Sequence, residues 1–242
     1  MRDARQRLDL KPLVIHDNYL INMAAGDEAL RAISVAAFRS EIERAIVLDA
    51  EYLVLHPGSY RGRSLEAAIQ TLVESLVAAT RGLHDKRLTL LLENTAGSGS
   101  ALGSRFEELA ELRRSASKRI GFEIGFCLDT AHCLAAGYDV ASAAGLDKTL
   151  KAADRIPGLK NVPVIHTNDS KAPLGSRVDR HEHIGQGYIG IPGFRRILND
   201  PRLREKAFIL ETPIYKEGDD RRNLRKLKSL CRKSRTTTTR SS

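Results

Sequence analysis

Five of the seven histidines and four carboxylates occupy positions where side chains do chemistry rather than pack. Six of the nine close short apolar runs. His16 follows Leu13-Val14-Ile15, His56 follows Tyr52 to Leu55, and Glu93 follows Leu88 to Leu92. Asp129 follows Phe122 to Leu128, His166 follows Val162 to Ile165, and Glu211 follows Ala207 to Leu210. His132 comes three residues after Asp129, and the Asp179-x-His181 pair lies in the loop beyond the fifth run. One such residue is ordinarily a satisfied structural polar group. Nine aimed at one place would be costly to desolvate without a compensating partner, and metal ions supply that compensation. An imidazole-rich set with carboxylates and no thiolate suits zinc best, ahead of manganese or iron. At three or four ligands per ion, with some carboxylate bridging, the inventory suits two or three metals.

The elements that must position these groups follow from the spacing between the runs. The segments Glu28 to Asp49, Leu65 to Thr80, Arg105 to Ser115 and Ala141 to Ala153 carry apolar residues three and four apart, which predicts helices. Short β-rich runs alternating with helices are the rhythm of a parallel βαβ sheet. The fold class is therefore α/β, a TIM-type (β/α) barrel, in which every strand ends at the same rim and the chemistry gathers there. A chain of 242 residues suits one such domain, over residues 1–220.

Composition adds exclusions. The formal charge of +9 resides in residues 221–242, which hold nine Lys or Arg and no acid, while residues 1–220 balance 30 basic against 30 acidic residues. Bulk charge therefore gives no argument for nucleic-acid binding by the body of the chain. The Thr/Ser-rich basic end reads as a disordered tail, with a nuclear address or a phosphate-gripping arm as the functional alternative. The three cysteines form no Cys-x-x-Cys pair, which speaks against a disulfide framework and a zinc ribbon. No apolar stretch suits a membrane span or a secretory signal, so the expected location is intracellular, in cytoplasm or nucleoid or, in a eukaryote, nucleus or mitochondrion. His84 reads as a surface residue. His183 is either a neighbour of the ligands or a solvated loop residue, and Asp17 and Asp169 either orient imidazoles or cap loops.

The motifs carry a resemblance. His56-Pro57-Gly58-Ser59, Glu93-Asn94-Thr95-Ala96-Gly97, Asp129-Thr130-Ala131-His132 with Ala136-Gly137-Tyr138-Asp139, His166-Thr167-Asn168-Asp169 and Gly175 to His181 resemble, in order, the motifs of endonuclease IV. The resemblance spans residues 12–212. It implies a zinc-dependent apurinic/apyrimidinic endonuclease of base excision repair, acting on double-stranded DNA that contains abasic sites, generally as a monomer. It implies three zinc ions: His16 and His56 on the first, Glu93 bridging to a second completed by Asp129, His166 and Glu211, and His132, Asp179 and His181 on the third. Glu93 and Glu211 then take the catalytic roles, the one bridging and the other orienting the nucleophile. Three ions meet the needs of phosphodiester cleavage, which are a nucleophile, charge neutralisation and a stabilised leaving oxygen. The products would be a 3′ hydroxyl and a 5′ deoxyribose phosphate.

By the same resemblance Tyr19 helps fill the gap left by an extruded abasic nucleotide. Arg177 and Arg180 are expected to grip phosphates, which positions DNA without reading bases. Family members begin with two further βα units, so about six of eight units are expected here, with open edges at the first and last strands. The rival readings are a metal-dependent sugar isomerase or epimerase on a related barrel, and a catalytically impaired DNA-binding remnant.

Overall fold

The computed structural model describes residues 2–232. A short helix α1 (Arg2–Arg7) leads into six barrel strands, β1 (Val14–His16), β2 (Tyr52–Leu55), β3 (Thr89–Glu93), β4 (Glu123–Asp129), β5 (Val164–His166) and β8 (Ala207–Ile209). They form one parallel sheet in the order β1-β2-β3-β4-β5-β8. Among the described residues, β1 and β8 are its edges. The helices between the strands are α2 (Glu28–Val47), α3 (Leu65–Thr80), α4 (Phe106–Ala116), α5 (Thr130–Ala136), α6 (Ala143–Arg155) and α7 (Gly190–Asn199), and α8 (Asp219–Leu230) follows the last strand. A small antiparallel ribbon, β6 (Asp169–Ser170) with β7 (His181–Glu182), stands beyond the rim.

The helices start where the sequence supplies a side-chain cap. Asp27, Ser64 and Ser142 each accept from the backbone N–H three residues on, satisfying a donor that the helix itself cannot. Strand periodicity divides the core in two. Residues such as Leu53, Leu55, Leu90 and Leu92 face the helices and join the main hydrophobic cluster with Phe38, Leu72, Phe106 and Phe194. The alternate residues Val54, Leu91, Cys127 and Val164 face the barrel interior, with Val14, Tyr52, Ala207 and Ile209 packed against them.

This alternation places the rim residues. A strand turns the same face every second residue. His16, His56, Glu93, Asp129, His166 and Glu211 each stand two residues beyond Val14, Val54, Leu91, Cys127, Val164 and Ile209, all members of the interior layer. Each candidate ligand is thus the next step up the inner wall from an apolar residue that fixes which way the strand faces.

One expectation is corrected by the C-terminal helix. Residues 219–230, most of which fell in the segment read as a disordered basic tail, form α8. The helix buries Asn223, Leu227 and Leu230, spaced at four and three residues, against the barrel and turns its Arg and Lys residues outward. The remainder of the expected tail, from Lys233 on, lies outside the described residues. No helix among the described residues is long and apolar enough to cross a membrane.

Candidate metal centre

Glu93 is the hub of the rim. Its side chain is wholly buried, and four imidazoles converge on it. His16 Nε2 lies 2.9 Å and His56 Nε2 3.2 Å from Oε2, while His166 Nδ1 lies 2.9 Å and His132 Nδ1 3.4 Å from Oε1. His166 Nδ1 also stands 3.0 Å from Glu211 Oε2. His132 Nε2 faces Asp179 Oδ1 at 3.2 Å, and His181 Nε2 stands 3.6 Å from Asp129 Oδ2 and 3.7 Å from Asp179 Oδ1. All nine candidate residues are joined through these contacts. Ligand atoms close enough to share an ion occur in overlapping groups that include His16, His56, Glu93; Glu93, Asp129, His166, Glu211; Glu93, Cys127, His166; and Asp129, His132, His181, the last with Asp129 where the resemblance implies Asp179.

The rings are oriented from behind. His16 Nδ1 lies 2.8 Å from the Asp17 carbonyl, His132 Nδ1 2.9 Å from that of Asn94, and His181 Nδ1 3.1 Å from that of Glu211. With Nδ1 donating to a carbonyl, each ring turns its Nε2 toward the cluster, the atom that an imidazole ligand offers once a metal displaces its proton. His132 Nε2 and His181 Nε2 are buried with no hydrogen-bond partner. Buried ring nitrogens that face carboxylates without hydrogen-bonding to them are what a zinc-binding set leaves for its ion.

The electrostatics point the same way. Burial alone would raise the Glu93 carboxyl, but the surrounding imidazoles outweigh it and hold the group well below the usual range. Burial lowers His16, yet its contacts with Asp17 and Glu93 win and raise it to about 10. Burial likewise opposes, and the neighbouring carboxylates overcome it at, His132, which is raised well above its ordinary value. Cys127 lies beside Glu93 in the pairing of β3 and β4, two residues below Asp129 on the inner wall. Burial pushes its thiol up to about 12, so it remains protonated and packs as a small apolar residue.

Several groups that the sequence did not single out hold the ligands in place. Asn94 Oδ1 accepts from the Asp129 N–H at 2.7 Å. Asn168 Nδ2 donates to Asp129 Oδ2 and to Glu211 Oε2, and its Oδ1 accepts from the Glu211 N–H at 2.7 Å. Helix α5 brings His132 onto the cluster because Asp129 caps it, accepting from the His132 N–H at 2.7 Å. Both asparagines follow or nearly follow a ligand in sequence, and that adjacency was the available signal.

For Asp169, Asp17 and His183 the structure decides between the two readings, and for Asp169 it favours the loop. Asp169 does not orient an imidazole: its oxygens accept from the N–H groups of Ser170, Gly185, Gly187 and Ile189, fixing the loop after β7. His16 Nδ1 lies nearer the Asp17 backbone carbonyl than its carboxylate, which stands 3.5 Å away. His183 is not a solvated loop residue but is 9% exposed, with its ring turned toward α8. His84 is exposed.

Beside His56, His132 and Asp179 opens a cleft of about 250 Å³, walled by Tyr19, Asn22, Ser59 and Thr95 among others. Tyr19 is 81% exposed at its edge. Arg177 and Arg180 lie on the loop that delivers Asp179, and Arg180 is exposed. Arg177 has a left-handed backbone (φ 56°), pinned by its N–H donating to the Ala135 carbonyl and its carbonyl accepting from Ser98 Oγ.

The family model of the xylose isomerase-like TIM barrel matches residues 1–233. The chain is 56% identical over 227 residues to a probable endonuclease 4 of Solibacter usitatus, covering 94% of this chain and 78% of that protein. It is 47% identical over 220 residues to an endonuclease 4 of Thermus thermophilus, covering 90% of this chain and 74% of the other. A crystal structure of endonuclease IV from Thermus thermophilus superposes with a TM-score of 0.81 at 42% identity, over 95% of this chain and 79% of that one. With its ligand-bearing rim on a parallel barrel sheet, the chain belongs to the endonuclease IV family of xylose isomerase-like TIM barrels.

Proposed function

We propose that the protein is a DNA repair endonuclease that hydrolyses the phosphodiester 5′ to an abasic site in double-stranded DNA, leaving a 3′ hydroxyl and a 5′ deoxyribose phosphate. The observation that carries this reading is the convergence of five imidazoles and four carboxylates on one rim, with His132 Nε2 and His181 Nε2 buried against carboxylates yet making no hydrogen bond. The set fits three zinc ions. His16, His56 and Glu93 would hold one, Glu93, Asp129, His166 and Glu211 a second, and His132, Asp179 and His181 a third. Bound zinc supplies Lewis acidity and a nucleophile at neutral pH.

The chain's own groups prepare the site for that chemistry. Glu93 brings a fixed negative charge to the centre, since the imidazoles keep it ionised despite burial. Burial would raise the Glu211 carboxyl, but His166 outweighs it and the group stays ionised, able to accept a proton or orient a water at its Oε atoms. Asn168 fixes that carboxylate by donating to Oε2. Tyr19, exposed at the lip of the cleft, would fill the gap beside an extruded sugar. Arg177 and Arg180 offer cations to the flanking phosphates.

The test is strand cleavage of a duplex carrying one abasic site, beside an intact duplex and a chelator-treated control. Zinc-dependent nicking of the first alone, with a 3′ hydroxyl that a polymerase extends, is the expected result. Metal-dependent interconversion of a ketose, with no nicking, would replace this reading with a sugar isomerase.

A further inference from the structure

Helix α8 reaches the rim through a buried polar chain. Asn223, 4% exposed on its inner face, contacts two loops at once. Its Oδ1 accepts from the Ile184 N–H at 3.1 Å, and its Nδ2 lies 2.9 Å from both His183 Nδ1 and Thr212 Oγ1. The backbone N–H can only donate, so Oδ1 is fixed as the acceptor and Nδ2 as the donor. His183 Nδ1 must then be the acceptor, which puts that ring's proton on Nε2, 3.7 Å from Asp219 Oδ2. Asp219, wholly buried, in turn accepts from the Tyr215 and Lys216 N–H groups and pairs with Arg222. The Tyr215 ring packs edge-on against His183.

The position of these bonds matters because each loop carries a candidate ligand. His183 and Ile184 lie just beyond His181 in the chain, and Thr212 comes directly after Glu211. His181 Nδ1 meets the Glu211 carbonyl directly, 3.1 Å away. That contact orients the imidazole only while both loops keep their spacing, and among the described residues Asn223 is the side chain bonded to both loops just behind it. We infer that Asn223 is a positioning residue: from a helix outside the barrel it clamps the β7 loop to the loop after β8, and so sets how tightly the His132, Asp179 and His181 site retains its metal.

This inference rests on the zinc-site reading above, and two variants with two readouts keep the two separable. Asn223→Asp keeps the size and the acceptor to Ile184 but removes the donor to His183 and Thr212. Leu227→Ala, one turn along α8, loosens the same helix through its apolar contact and leaves the clamp intact. With full-length protein and a chromogenic zinc chelator, Asn223→Asp should release one zinc per chain about tenfold faster than the parent, the size of effect expected when a group supporting a ligand is lost. The other zincs should leave at the parent rate. Leu227→Ala, compared at a similar fall in melting temperature, should release all its zinc at the parent rate. The second readout is amide exchange in metal-free protein. The amides of His183 and Thr212 should lose protection in Asn223→Asp but not in Leu227→Ala, while Ile184, whose acceptor is kept, should change least.

Parent-like exchange and zinc release in Asn223→Asp, or equal acceleration in both variants, would overturn the clamp. A parent protein that binds no zinc would instead overturn the zinc reading, and the exchange comparison would still decide the clamp.

Discussion

His181 Nδ1 lies 3.1 Å from the backbone carbonyl of Glu211, so one candidate ligand is aimed by the main chain of another. The same device serves His16 through Asp17 and His132 through Asn94. Rings held this way are set before any ion arrives, which removes much of the ordering cost of binding. The purified protein is therefore expected to hold about three zinc ions, on the arithmetic of three or four ligands per ion. After chelation it should keep its secondary structure and recover nicking when zinc is returned, without a refolding step. Elemental analysis and circular dichroism check this, and a count of one ion or fewer in protein never exposed to chelator would be incompatible with it.

The metal-free protein should have an unusual pH profile. His16 is raised from 6.5 to about 10, so its contribution to stability is complete below about 6.5 and is lost as pH climbs toward 10. Glu93 is lowered from 4.5, so its contribution is present above about 4.5 and is lost as pH falls further. Melting temperature in the presence of chelator should thus peak between about pH 4.5 and 6.5 and decline above. Zinc reverses the upper limb, because protons compete with the metal for the same imidazoles. The difference between zinc-loaded and chelated melting curves should therefore widen from about pH 6 to about pH 8. A constant difference across that range would show that these histidines do not bind the ion.

Glu93→Gln is expected to be the most damaging single change at the site. The amide keeps the shape but removes the charge toward which His16, His56, His132 and His166 all point. Loss of groups that merely support ligands costs about 10- to 100-fold in metal affinity or activity, and a shared ligand should exceed about 100-fold. Steady-state nicking rates and zinc content, measured together, check it. Parent-like rates with full zinc would mean that the bridge lies elsewhere.

The strands and the rim position of the candidate ligands were legible because strand periodicity and the places where the apolar runs end coincide. A β-run ending in His, Asp or Glu places that residue on the face of the residue two before it, so Glu93 inherits the inward direction of Leu91 and His166 that of Val164. Helix α5 was not legible as a separate element. Its seven residues continue from β4 without a turn, and the only sign was that Asp129 can cap a helix beginning at Thr130. Helix α8 was misread because its charge outweighed its spacing; Asn223, Leu227 and Leu230 form one face that was visible in the letters. The roles of Asn168 and Asp169 needed coordinates. Both are polar residues shortly after a ligand, and only the backbone path shows that one reaches Asp129 and Glu211 while the other gathers the N–H groups of a loop.

Tyr19 should separate binding from folding. It is 81% exposed at the edge of the cleft, so truncation removes little packing, and surface substitutions of this kind shift stability by about 0.5 kcal/mol or less. An aromatic face against a base or a vacated stack contributes about 1 to 3 kcal/mol to nucleic-acid binding. Tyr19→Ala should therefore melt like the parent yet bind abasic duplex roughly 5- to 150-fold more weakly, with Tyr19→Phe close to the parent. Equal affinity of the alanine variant for abasic duplex would remove Tyr19 from the DNA interface.

Arg177 and Arg180 call for different substitutions if charge is to be isolated from conformation. Arg180 has an ordinary backbone, and its guanidinium donates to the neighbouring Asp179 carbonyl, so Arg180→Ala removes a cation and little else. Arg177 sits at φ 56°, where a residue with a Cβ is strained and glycine is not. Its N–H and carbonyl are both bonded, to Ala135 and Ser98, so the backbone must keep that conformation. Arg177→Gly is therefore the clean removal of charge, whereas Arg177→Ala loses the cation and retains the strain. If both arginines contact phosphates, each removal should weaken binding to abasic and intact duplexes alike and lower the slope of log K against log salt by about one. Arg177→Gly should also melt at or slightly above the parent temperature. Unchanged salt slopes in both variants would assign the two side chains to solvent and leave DNA grip to other residues of the rim.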